Sequence, residues 1–178
     1  MLFRSVRTLA AIARQHECVL PLVEAITVSN GAVSSRLVQL LEKRLTSLRD
    51  RTIAVLGLSY KPSTDDVRES PAMDFVRRLL AAGASVRGHD PMANQEASRI
   101  LSHSSFQLCD SPFVAAEGAH AVAVLTEWND FRSLDLQELR ARMQGQVLLD
   151  ARNIYDPRQA AEAGFDYIGR GRGKRAGD

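Results

Sequence analysis

From Arg51 onward the chain repeats one grammar: a short β-rich run, a polar loop, a helical segment, then another β-rich run. The runs are "TIAVLG" from Thr52, "ASVRGHDP" from Ala84, "SFQLC" from Ser105, "AHAVAVLT" from Ala119, "QVLLDA" from Gln146 and "FDYIG" from Phe165. Strands separated by helices pair in parallel through right-handed crossovers. The helical segments carry their own start signals, with Ser70–Pro71 and Ser111–Pro112 each placing a cap residue before a first-turn proline. The expected fold is therefore α/β, a doubly wound parallel sheet of about six strands over residues 51–168.

The first 50 residues obey a different rule. "VRTLAAIARQH" places Val6, Leu9, Ala10 and Ala13 on one helical stripe, and Pro21 opens a second helix. Val23, Ile26, Val33, Leu37, Leu40, Leu41 and Leu45 follow helical spacing through it. Gly31, Ser34 and Ser35 are weak helix formers in its middle, so a partner surface has to support it. Residues 1–50 are read as a helical dimerisation arm and residues 169–178 as a basic tail.

Composition excludes several classes. No apolar run approaches the ~20 residues that span a bilayer, so no membrane role is expected. The N-terminus lacks the apolar core of a secretion signal, and Cys18 and Cys109 are far apart with no zinc spacing. The expected setting is the cytoplasm. Three net positive charges lie in "GRGRGKRAGD", leaving a net charge of −1 on the body. The pI of 8.7 is thus a tail effect, and no nucleic-acid partner is expected. The tail reads as a disordered C-terminus, with RNA contact as the alternative.

In a doubly wound sheet, ligands sit beyond the carboxyl ends of the strands, near the reversal of strand order. Four segments qualify: "GLSYKPSTDDVRES" after the first strand, "HDPMA" after the second, "TEWNDF" after the fourth and "DARNIYD" after the fifth. The first contains Lys61 and Arg68 beside Asp65 and Asp66. The cations suit phosphate or carboxylate, yet four charges can equally pair with one another and hold the loop. Asp90 stands where a dinucleotide site places its ribose acid, but the glycine fingerprint is missing and the residue reads as a turn former before Pro91. Trp128 reads as packing beneath its loop, and Glu127 with Asp130 as an acid pair of unfixed geometry. Arg152 is an anion ligand or the partner of Asp150 or Asp156. No nucleophile with a base is evident.

Taken together, "GLSYKPSTDDVRESPA", "GHDP", "LTEWNDFRSLD" and "LLDARNIYD" resemble, in order and spacing, the C-terminal domain of the UDP-glucose/GDP-mannose dehydrogenase family. "LPLVEAITVSNGAVSSRLVQLLEKRL" is similar to the family's central helix, which links two Rossmann-like halves and builds the dimer. The family oxidises the C6 alcohol of a nucleotide sugar to a carboxylate in two NAD-dependent steps through a cysteine thiohemiacetal. Carried over by position, the resemblance implies that Tyr60 and Lys61 contact the nucleotide sugar, that Arg152 contacts the substrate, and that Arg68 reaches NAD held by the other half.

Two departures qualify it. Aligning "MLFRSV" on the segment that carries the family's nucleophile puts Met1 at the cysteine, Arg4 at the lysine and Ser5 at the aspartate. Ala151 stands where the family has glycine before its arginine. The resemblance implies the UDP-sugar-binding part of an NAD-dependent nucleotide-sugar 6-dehydrogenase, inactive alone because the NAD-binding half and the cysteine are not in this chain. UDP-glucose is the expected donor, with GDP-mannose and N-acetylhexosamine donors as alternatives. A non-catalytic interaction module derived from the same family, pairing through the long helix, is the second reading.

Overall fold

The computed structural model describes residues 2–172. Two helices come first, α1 (Leu2–Gln15) and α2 (Pro21–Leu45). The alternating region follows as β1 (Thr52–Leu56), α3 (Pro71–Ala81), β2 (Ser85–His89), α4 (Asn94–Ile100), β3 (Phe106–Leu108), α5 (Pro112–Ala116), β4 (Ala121–Val124), α6 (Asn129–Arg132), α7 (Leu136–Arg142), β5 (Val147–Asp150), α8 (Pro157–Glu162) and β6 (Asp166–Gly169). All six strands pair in parallel in the order β3-β2-β1-β4-β5-β6. The order reverses between β1 and β4, and a crevice opens there at the carboxyl ends of the strands.

The near-continuous apolar runs follow from burial on both faces. Ile53 and Val55 of β1, with Ala121, Ala123, Val147 and Leu149, face a core built with α2, α3 and α4. The alternate residues Ala54, Leu56, Val122, Val124 and Leu148 face α5 to α8. Ser70 and Ser111 cap α3 and α5 through their side-chain oxygens, as their positions before proline predict.

The second half of α2 belongs to this core. Leu37 and Leu41 pack with Phe75, Val76 and Ile53, and Leu48 beyond the helix joins them. Ser34 is buried and its Oγ donates to the carbonyl of Pro71 at 3.1 Å, tying α2 to the start of α3. This is the support that the weak helix formers require. By contrast, Leu9, Ile12, Val19, Leu22 and Val28 on α1, the turn and the first half of α2 are exposed.

Three details depart from expectation. α6 is a single turn that begins within "TEWNDF" and ends at Arg132, too short for any periodicity to announce it. α4 starts two residues later than "MANQEASRILS" suggests, because Asp90 Oδ1 accepts from the N–H groups of Met92 and Ala93 and holds them in a turn. The ordered chain continues past residue 168, since β6 runs through Gly169 and the Arg170 N–H donates to the carbonyl of Asp150. The predicted tail from residue 173 onward, and the side chains of Met1, Arg4 and Ser5, lie outside the described residues.

Candidate functional site

β1 is followed directly by Gly57, whose φ of +90° turns the chain sharply. A Cβ there would stand 2.6 Å from the Thr126 Cβ, so the close approach just beyond the paired ends of β1 and β4 admits only glycine. The N–H groups of Leu58 and Ser59 that follow point at one oxygen, Oδ2 of Asp90, at 2.8 and 2.9 Å. The hydroxyl of Ser59 and the indole N–H of Trp128 donate to the same oxygen. Asp90 is thus a buried internal anion at the turn where a dinucleotide site would hold pyrophosphate. Its role as a structural turn residue holds, and so does that of Trp128 as packing beneath the loop. The donors that a dinucleotide would need here are already committed, so this turn does not fit NAD.

The loop then releases Tyr60 and Lys61 into a cleft of about 380 Å³. Leu125 and Glu127 enter from the end of β4, Ala151 and Arg152 from β5, and Arg170 from β6. Asn30, Val33, Ser34 and Leu37 of α2 form the wall opposite, with Pro71 and Ala72 at the start of α3. Three of the four segments singled out in the sequence therefore meet, while "HDPMA" lies beneath the first of them.

The cations differ in how they are held. Arg152 donates from its backbone N–H to Asp150 Oδ1 at 3.1 Å and from Nε to the carbonyl of Leu125 at 2.8 Å. Glu127 Oε2 lies 2.9 Å from the same Nε, but that N–H points at Leu125, so Glu127 Oε2 accepts no hydrogen bond from any described residue. The attraction between the two is Coulombic alone. The acidic partner of Arg152 is Glu127, where the sequence suggested Asp150 or Asp156; Asp150 instead orients its backbone. No ion pair among the described residues includes Lys61 or Arg170. Glu127 is the one carboxylate among the described residues that line the cleft.

Arg68 behaves otherwise. Its Nε and backbone N–H both donate to Asp66 Oδ1, at 3.1 and 3.0 Å, and its side chain is 77 % exposed. It does not line the cleft. The two readings of the loop's charges thus divide between residues: Asp66 and Arg68 pair and hold the loop, while Lys61 faces the cleft.

Asp150 anchors the far side. Its Oδ2 accepts from the Tyr155 N–H and the Tyr167 hydroxyl, both at 3.0 Å. Burial, followed by the Asp150 charge, raises both tyrosine pKa values well above the ordinary range.

Sequence reasoning missed Arg170 and the contribution of Asn30. Arg170 had a signal, since it directly follows the last strand run, the same position that drew attention to Arg152. Asn30 had none, because helical periodicity does not say which surface a helix covers. The expected acid pair does not form in the cleft: Glu127 lines it, and Asp130 lies on α6 outside it.

A doubly wound parallel sheet with a cationic cleft at its switch point, its dinucleotide turn closed by a carboxylate, defines an anion- or nucleotide-binding Rossmann-like domain. Residues 54–157 match the model of the UDP-glucose/GDP-mannose dehydrogenase family, UDP binding domain. The chain belongs to that family. It is 37% identical over 179 residues to the UDP-glucose 6-dehydrogenase of Pseudomonas aeruginosa, covering 98% of this chain and 39% of that protein. With the UDP-glucose 6-dehydrogenase of Rhizobium meliloti it shares 42% identity over 125 residues, 70% of this chain and 28% of the relative. Among solved structures, a UDP-glucose dehydrogenase from Pyrobaculum islandicum superposes with a TM-score of 0.78 at 32% identity, over 94% of this chain and 36% of that one. The chain thus spans under two fifths of the length of these relatives.

Proposed function

We propose that this chain is the nucleotide-sugar-binding part of an NAD-dependent UDP-glucose 6-dehydrogenase and that it binds UDP-glucose through Tyr60, Lys61 and Arg152. The observation that carries this reading is the cleft at the switch point. Its cations Lys61, Arg152 and Arg170 face a single carboxylate, beside an apolar wall of Val33, Leu37 and Leu125. Cations suit a diphosphate, and the apolar wall suits the uncharged face of a nucleoside or sugar. NAD has no place in this domain's own turn. The exposed Arg68 on the loop rim would reach a dinucleotide held by another part of the whole protein, and the oxidation itself belongs to that assembly. Calorimetry with UDP-glucose tests the reading. The Lys61→Ala variant is expected to bind roughly tenfold more weakly, the scale of one charge-assisted hydrogen bond. No heat of binding at millimolar UDP-glucose would overturn it.

The exposed apolar residues of α1 and the first half of α2 support a second element of the reading, a homodimer formed through this arm. Pairing through the arm is equally what a non-catalytic interaction module would do; binding of UDP-glucose separates the two.

A further inference from the structure

We propose that Arg170 binds the same diphosphate as Lys61 and Arg152, and that Asp150 sets the two arginines in register. This rests on the nucleotide-sugar reading and assigns a further ligand within it. Arg170 is the first residue beyond β6, and its side chain is exposed where it lines the cleft. Its backbone is fixed on both sides. The N–H donates to the carbonyl of Asp150 at 3.2 Å, and the carbonyl accepts from Asn153 Nδ2 at 3.0 Å. Asp150 itself is fully buried and holds the Arg152 N–H through Oδ1. One buried residue therefore positions both arginines, through its main chain for Arg170 and its side chain for Arg152.

Charge balance gives Arg170 its task. Glu127 already lies against Arg152 and offsets part of its charge. Lys61 and a partly neutralised Arg152 are a weak match for a diphosphate, which carries at least two negative charges. Arg170, which no described residue engages in an ion pair, adds a planar donor that can take a phosphate through two parallel hydrogen bonds. Arg172, two residues on, does not line the cleft and serves as a control of equal charge.

The test is calorimetry of the whole chain with UDP-glucose, UDP and uridine, comparing the wild type with Arg170→Ala and Arg172→Ala. Thermal melting confirms that the variants fold. Arg170→Ala is expected to weaken UDP-glucose and UDP alike by about tenfold and to flatten the salt dependence of both. Uridine should change little, and Arg172→Ala should change each affinity by less than about twofold. If Arg170→Ala binds UDP-glucose and UDP no worse than Arg172→Ala does, the assignment of Arg170 is overturned while the nucleotide-sugar reading stands. If the wild type binds neither ligand, the nucleotide-sugar reading falls and takes this assignment with it.

Discussion

At the scale of single residues, the cleft is a small excess of cations over one carboxylate, and Glu127 governs that excess. Because its Oε2 attracts Arg152 without a hydrogen bond, its removal costs little structure and frees a cation. Glu127→Ala should therefore tighten the binding of UDP about two- to five-fold at low salt, and the gain should shrink as salt is added; both follow from the weak, screened character of a partly exposed pair. Calorimetry at two salt concentrations measures it. The tyrosines that hold Asp150 respond to alkali. Burial and the Asp150 charge raise the pKa of Tyr155 and Tyr167 above the ordinary value of 10.0. The folded state therefore keeps protons that the unfolded state releases. The stabilisation is fully present below about pH 10 and is lost as pH rises above that value. Urea denaturation from neutral pH to about pH 11 should show this decline, and Tyr167→Phe should reduce its slope.

Elements set where those residues stand. β1 and β4 pair side by side, and just beyond their ends Gly57 lies so close to Thr126 that no side chain fits between them; the turn that follows hands its amides to Asp90. Gly57→Ala forces a side chain into left-handed backbone and into contact with Thr126. It should cost about 3 kcal/mol and displace the loop bearing Tyr60 and Lys61. Thermal melting would report the stability loss, and UDP-glucose affinity the displacement. Strand existence and order of elements were legible, because six β-rich runs separated by caps and helical segments leave few parallel topologies. α6 was not, since one helical turn has no period to read. The pairing of Arg68 with Asp66 was also hidden: a sequence places four charges on one loop, but backbone conformation decides which of them face each other.

For the whole molecule, α2 has two duties along its length. Its second half carries Leu37 and Leu41 in the core of the sheet domain, so removing everything before Arg51 would open that core as well as delete the arm. The dimer is better tested on the intact chain. Leu22 and Val28 are 74% and 73% exposed. Leu22→Glu with Val28→Glu should leave the melting temperature nearly unchanged and convert a dimer to a monomer, as read by light scattering. A wild type that scatters as a monomer would remove the dimer from the reading.

By itself, the sequence determined the doubly wound sheet, the capped helices and the position of Lys61 and Arg152 in loops that follow strands. Each depends on local period, turn chemistry and chain order. The resemblance of its loops also pointed to the family. Only the tertiary structure decided which loops meet, that α2 walls the cleft, that Asp90 closes the dinucleotide turn, and that Arg170 stands with Arg152. These are contacts between residues far apart in the chain. They arise from the register of parallel strands and the close packing of the elements beside them, which no local pattern encodes.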